Sequence, residues 1–307
     1  MLPYLSPLRY PGGKGALAPY LGRLIAWQHR RPSIYVEPFA GGAGAALRLL
    51  FDEYVDRIVL NDVDSSLGAF WRAVTQESER FARRIETCML DIGEWHRQRE
   101  VWLKRPTDDF ELGFATFYLN RTNRSGILSA RPIGGLKQLG NWRLDVRFNR
   151  EDLAARVRLI GRYRNRITVS QQDALTFLED FGVDRTDCFY YLDPPYLSQG
   201  DLYLDNLSWR DHVSLAHLVS SEDAQSAAWL VTYDQDPRVA AELYPRMRIA
   251  EIRLAHTAAN QHVGSEYAIF SPDLNVASLD GLGSGLATFI NGPRNAAAST
   301  RPRPTAS

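Results

Sequence analysis

Short apolar runs separated by helical periodicity recur along this chain, and that alternation decides what it can fold into. Runs at 34–39, 57–61, 167–170, 188–192 and 229–233 have the length and the aliphatic and aromatic content of strands. Helical patterns lie between or after them, at 45–51, 67–75, 173–179, 212–220 and 237–243, and an earlier helix is read over 16–28. Strands that alternate with helices predict an α/β fold with a mostly parallel sheet covered on both faces. The last two strand runs, 248–254 and 267–271, have no helix between them. They predict an antiparallel hairpin at one edge.

The stretch 65–165 interrupts the alternation, first helical and then loop-rich. It reads as an inserted lobe in a domain made of 1–64 and 166–280. The stretch 281–307, rich in Gly, Ser, Ala, Pro and Arg, reads as a disordered tail. The formal net charge is zero, but its distribution is uneven. Between Leu112 and Arg166 there are twelve Arg and Lys against three acids, Asp145, Glu151 and Asp152, so this block carries +9. A basic block in a neutral chain is the footprint of a nucleic-acid-contacting lobe, although a solvated helix face accounts for part of it. Within the block, Asn120, Arg121, Asn123, Arg124 and Ser125, followed by Arg131 on a glycine-containing loop, are side chains that reach phosphates and base edges. The bland alternative is a helix cap and a surface loop. Lysine is scarce: only Lys14, Lys104 and Lys137 occur. That scarcity makes Lys14 conspicuous.

Other classes are disfavoured. The 45% apolar residues of the 307 can fill a core. Two cysteines, Cys88 and Cys188, do not make a disulfide framework, and no Cys/His spacing suits zinc. No run of about 18 apolar residues occurs, and the N-terminus lacks a basic-then-apolar signal. A soluble cytoplasmic protein without a metal is the expectation.

The chemistry concentrates at two strand exits. Asp193-Pro194-Pro195-Tyr196 follows the apolar run 188–192. Two prolines stiffen the exit and remove two backbone donors. A carboxylate and a carbonyl are thereby presented beside an aromatic ring. This set suits a planar amino group, with two acceptors for its two protons and a ring to stack on its base. A strand-ending turn with a buried tyrosine is the simpler alternative. The second exit is Tyr35-Val36-Glu37-Pro38-Phe39-Ala40-Gly41-Gly42-Ala43-Gly44, read as strand, small-residue turn and helix. It is neither a GxGxxG fingerprint nor a phosphate loop. Its acid suits a cofactor that is cationic at its reactive centre. Asp62 ends the next strand, where an acid commonly bonds ribose hydroxyls. Asp173 either bonds a ligand or caps the helix that follows it.

Three elements in order, Arg9-Tyr10-Pro11-Gly12-Gly13-Lys14, Glu37-Pro38-Phe39 with its turn, and Asp193-Pro194-Pro195-Tyr196, resemble the DNA adenine methylases of the Dam type. The likeness runs from about Leu8 to Ser271. It departs at Tyr10, where the family often has Trp, and at Ala43, where the family's turn usually has Gly. The resemblance implies a Rossmann-like methyltransferase sheet, S-adenosyl-L-methionine as cofactor and double-stranded DNA as partner. It implies site-specific methylation of adenine N6 after base flipping. Asp193, Pro194, Pro195 and Tyr196 would be catalytic. Tyr10, Lys14, Glu37, Pro38, Phe39, Gly41, Asp62 and Asp173 would serve the cofactor, with Lys14 approaching either it or the catalytic carboxylates. The protein would be a monomer or weak dimer, with a cognate restriction endonuclease as a candidate partner. Cytosine N4 in DNA, an RNA base, and an inactive DNA-binding relative are the rivals. A carboxylate of Asp193 placed far from any cleft reachable from residues 10–44, or turned into an internal ion pair, would refute the reading.

Overall fold

The strands are β1 (Ile34–Glu37), β2 (Arg57–Asn61), β3 (Ile167–Ser170), β4 (Cys188–Leu192), β5 (Ala228–Asp234), β6 (Arg248–His256), β7 (His262–Phe270) and β8 (Thr288–Asn291). They form one sheet in the order β3-β2-β1-β4-β5-β7-β6-β8. The structure is a computed structural model and describes residues 5–9, 14–197, 207–256 and 262–291. The expectation for Tyr10 lies outside the described residues, as do those for 11–13 and 292–307. Strands β3, β2, β1, β4 and β5 pair in parallel, whereas β7, β6 and β8 continue the sheet antiparallel.

Strand alternation sorts the apolar side chains onto two faces. Tyr35, Ile58, Leu60, Phe189, Tyr191 and Leu230 point to one core, and Val36, Val59, Tyr190, Leu192, Trp229 and Val231 to the other. Helices α8 (Ala174–Phe181) and α9 (Trp209–Val219) cover the second face. The first face is covered by α1 (Ala18–Ala26), α2 (Gly44–Phe51) and the inserted helices. These are α3 (Ser65–Gln76), α4 (Ser78–Thr87), α5 (Ile92–Lys104), α6 (Asp109–Thr122) and α7 (Arg150–Arg162). With both faces covered, the central strand β4 is buried at every residue, which explains its unbroken apolar run.

Helix α6 runs through the middle of the inserted block, with every residue from Leu112 to Thr122 buried. Phe70 of α3 stacks on Phe117 of α6 at 6.3 Å, and Phe81 of α4 meets Phe117 edge-on at 5.6 Å. Gly113 allows the crossing with α3, because a methyl there would lie 2.8 Å from the Ala69 carbonyl oxygen. The same apolar cluster contains Phe70, Phe81 and Phe117 together with Tyr35 and Phe189 of the sheet. The inserted block and the sheet therefore share one core.

The structure differs from the sequence expectations in a few places. The helix read over 16–28 opens as a 3-10 turn, Lys14–Leu17, before α1, whose first turn takes Pro19 without losing a needed donor. The helix read at 237–243 is a π-helical turn, Val239–Leu243. Strand β8 was not expected. It pairs with β6 through an irregular register between Ile249 and Ala250. The β6–β7 hairpin is thus not the last element of its edge, and part of the expected tail 281–307 is a strand. Among the described residues no helix is long and apolar enough to cross a membrane.

Candidate active site

Strands β1 and β4 lie side by side, with Val36 opposite Tyr190. From β1 the chain moves to β2 on one side, and from β4 it moves to β5 on the other. The carboxyl ends of two such diverging strands open a crevice, the usual ligand site of an open α/β sheet. Glu37-Pro38-Phe39 leaves one strand there and Asp193-Pro194-Pro195-Tyr196 the other. Two motifs distant in sequence thus flank a single crevice.

On the β1 side the turn is held from several directions. Gly41 takes a left-handed φ of 46°, donates its N–H to Asp62 Oδ2 at 2.8 Å and accepts from Trp71 Nε1 at 3.0 Å. Asp62 Oδ1 accepts the Asp64 N–H at 3.0 Å. Buried Asn61 donates to the carbonyls of Pro38 and Gln172, both at 3.0 Å, and so ties three strand exits together. Ala43 caps α2 with φ 45°, a left-handed conformation that costs a residue with a Cβ about 1 kcal/mol. Glu37 is buried and accepts the Tyr35 hydroxyl at 2.9 Å. Burial pushes its pKa up to about 8, and the charge of Asp193 adds to the rise. The Tyr35 hydroxyl and the backbone of Ala46 act the other way. Phe39 is half-buried beside it. Asp173 is exposed and caps α8, accepting the N–H groups of Leu175 and Thr176 at 3.0 and 3.2 Å.

On the β4 side Lys14 links the acids. Its Nζ donates to Tyr196 Oη at 2.9 Å and to both carboxylate oxygens of Glu266 at 3.0 Å, and lies 3.3 Å from Asp193 Oδ1. Thr232 Oγ1 donates to the same Asp193 oxygen at 2.6 Å and is itself bonded to the Tyr191 hydroxyl at 2.9 Å. Among the described residues both donors therefore fall on Oδ1. The second refuting condition is met in part: Asp193 is ion-paired with Lys14, yet 22% of its side-chain surface stays open, against 6% for Lys14. Burial raises the Asp193 pKa to about 6, with Lys14 lowering it and Glu266 raising it further. Burial disfavours the Lys14 charge, but the two carboxylates overcome this and hold its pKa above the ordinary value. The Tyr196 hydroxyl donates to Glu266 Oε1 at 2.6 Å, and Asp234 fixes the exit by accepting the Leu197 N–H at 3.1 Å. The crevice therefore joins a half-open carboxylate and a half-buried aromatic ring to a buried acid on the neighbouring strand.

The family described as D12 class N6 adenine-specific DNA methyltransferase matches residues 10–256. The chain belongs to that family. As a D12 class enzyme it is an adenine-specific DNA methyltransferase. Two solved structures of the rRNA methyltransferase aviRa from Streptomyces viridochromogenes are similar to it at 13% and 12% identity. They cover 86% and 87% of this chain and 88% of their own, with TM-scores of 0.36 and 0.37. Superpositions this loose add nothing to the family match. A search of the curated proteins returned no match.

In this D12 methyltransferase the structure corrects three of the residues read as DNA contacts. Asn120 is buried; its Oδ1 accepts the Arg9 N–H at 2.7 Å, and its Nδ2 donates to the carbonyls of Arg9 and Gly126 at 2.8 and 2.9 Å. Arg121 is buried and donates from Nε to the Pro7 carbonyl at 2.5 Å. Burial, with Arg156 close by, lowers its pKa to about 9. Asn123 is fully buried, accepts Trp95 Nε1 at 2.7 Å and donates to Ile127 and Leu128. These three side chains hold the N-terminal segment and the loop in place and present nothing to a groove. Arg124 and Arg131 are exposed, and Ser125 is half-buried. Glu266, Thr232 and Asn61 were not foreseen, since none belongs to a motif, and Tyr35, quoted at the second strand exit, was given no role there. The signal for Glu266 was its phase: it shares a strand face with Ala268 and Phe270, so an acid stood where alternation buries side chains.

Proposed function

We propose that this methyltransferase takes the methyl group from S-adenosyl-L-methionine and places it on adenine N6 at one defined duplex sequence, after drawing the base out of the stack. The observation that carries the reading is the half-open carboxylate of Asp193 beside Tyr196, at the strand exit next to buried Glu37. Residues 65–165 would be the target-recognition lobe of a catalytic domain made of 1–64 and 166–280. The same reading places the protein in the cytoplasm as a monomer or weak dimer, with a cognate restriction endonuclease as candidate partner.

The residues present fit that cofactor. A buried acid with a raised pKa beside a turn of small residues is stabilised by a cationic ligand. Glu37, Pro38, Phe39 and Gly41 would hold it, with Asp62 on its ribose and Tyr10 and Phe39 on its base. When bound, it supplies a methyl group activated by a positive sulfur. Asp193 and the Pro194 carbonyl accept the two amino protons of adenine, which draws N6 toward a tetrahedral shape. With Thr232 and Lys14 occupying Oδ1, Oδ2 is the oxygen that faces the base. Tyr196 stacks on the base, which offsets part of the few kcal/mol that flipping costs. As positive charge develops on N6, the Asp193 carboxylate stabilises it and receives the proton.

Labelled transfer to duplex DNA, followed by digestion to nucleosides, tests the reading. Label in N6-methyldeoxyadenosine is expected; label in N4-methyldeoxycytidine, or none, would overturn it. Asp193 must be ionised to accept, so the rate should rise with pH through about 6 and level off above. At pH 5 it should be about a tenth of the plateau, as single-turnover rates across pH would show.

The exposed loop after α6 is the surface that would meet DNA. Arg124, Arg131, Lys137, Arg143 and Arg147 are exposed there, and Trp142 is 68% exposed among them. Each Arg→Gln substitution at 131, 143 or 147 should flatten the slope of log affinity against log salt by about 0.9 for every phosphate that is no longer neutralised. Unchanged slopes would move the interface elsewhere.

A further inference from the structure

We propose that Glu266 is a positioning residue of the methylation site, fixing the Tyr196 ring through its hydroxyl and holding Lys14 where one ammonium serves two carboxylates. The inference rests on the methyltransferase reading of this crevice and adds to it a group from the antiparallel part of the sheet.

Glu266 lies on β7 and is 1% exposed. It stands directly across from Asp234 of β5, so two acids face each other in adjacent strands. An isolated carboxylate there is costly, and an apolar side chain would pack at least as well. What compensates it is a closed ring of contacts. Lys14 donates to both its oxygens, the Tyr196 hydroxyl donates to Oε1, and Lys14 donates to that same hydroxyl. The ammonium also lies 5.3 Å from the centre of the Tyr196 ring. With its hydroxyl bonded from two sides, the ring is set before any base arrives. Orientation settled in advance is what a stacking platform contributes to rate.

The ring of contacts also divides the charge of Lys14. Its ammonium is 3.0 Å from Glu266 and 3.3 Å from Asp193, so the acid that does no chemistry has the closer contact. Without the Glu266 charge the ammonium would serve Asp193 alone. That would stabilise the carboxylate and weaken it as a proton acceptor. Among the described residues the titratable groups facing Asp193 are Lys14 from the first 3-10 turn, Tyr35 and Glu37 of β1, Tyr191 of β4 and Glu266 of β7, while Asp234 faces Glu266. Of these, Lys14 favours the ionised form of Asp193 and Glu266 opposes it, while the Asp193 charge in turn raises the pKa of Glu37.

The test is Glu266→Gln in the full chain, measured as single-turnover methyl transfer to duplex DNA across pH, with cofactor KM and unfolding temperature alongside. Glutamine keeps the volume and an acceptor for Tyr196 but loses the charge. The plateau rate should fall about tenfold, and its acidic limb should move to lower pH, because Asp193 loses a repelling neighbour. Cofactor KM should hold. Glu266→Ala, which also releases the ring, should lose about 100-fold. A wild-type rate in Glu266→Gln, or a reduced rate whose acidic limb stays in place, overturns the proposal. If Glu266→Gln does not fold, Tyr196→Phe carries the test. It should lower the rate several-fold with the limb unmoved, since every charge remains; a wild-type rate there overturns the clamp. A wild-type protein that transfers no methyl group overturns the underlying reading and this inference with it, whereas an active wild type with insensitive variants overturns this inference alone.

Discussion

Asp193→Ala should abolish methyl transfer while the cofactor still binds. Among the described residues the partners of the carboxylate are Lys14 and Thr232, neither of them in the Gly41 turn. The β1 side of the crevice should therefore survive the change. Lys14 keeps Glu266, so no buried cation is stranded and the unfolding temperature should move little. What is lost is the acceptor that reshapes the amino nitrogen and takes its proton, a contribution of about 10³-fold or more. Asp193→Asn separates charge from shape. It keeps an oxygen for the Thr232 hydroxyl, yet a neutral amide cannot receive the proton, and it should be nearly as inactive. Single-turnover transfer gives the rate and calorimetry the cofactor affinity. An alanine variant within tenfold of wild type would end the assignment.

Asn120→Ala should reduce stability and rate and leave DNA affinity alone. Its amide makes three hydrogen bonds to backbone groups of Arg9 and Gly126, and all are part-buried or buried. Leaving those groups without partners should cost about 2–3 kcal/mol. Arg9 precedes Lys14 by five residues, and Arg121 and Arg156 bond the carbonyls of Pro7 and Ser6 beside it. Releasing Arg9 should let the Lys14 segment drift, and a misplacement of about 1 Å in such a site costs about 100-fold in rate. A base-contacting asparagine would behave otherwise: affinity would fall, specificity would relax at one position and the unfolding temperature would hold. Thermal unfolding, rate and binding isotherms together decide between the two.

The sheet was legible where burial is simple. β4 begins and ends where its apolar run does, because a strand covered on both faces is buried at every residue and has no exposed position to blur its limits. The two strand exits were legible because proline and glycine act locally. β8 was not, since four residues after a Gly- and Ser-rich stretch hold no periodicity; its pairing comes from the open edge of β6. The polar residues of α6 misled for a physical reason. Charge and amide groups normally mark an exposed face, but α6 is buried nearly all round and spends them on backbone groups of other segments. Glu266 and Thr232 belong to no local motif, and their meaning comes only from which strands become neighbours.

The apolar cluster shared by Phe70, Phe81 and Phe117 with Tyr35 and Phe189 has a practical outcome for anyone wishing to redirect this enzyme. A chimera that grafts another relative's residues 65–165 would remove α3 to α7 from one side of the sheet, leave α1 and α2 in place and rebuild the rest of that cover from foreign side chains. On the proposed reading of residues 65–165 as the target-recognition lobe, retargeting is better attempted by redrawing only the loop between α6 and α7, whose solvent-facing positions can be shuffled without reopening the interior.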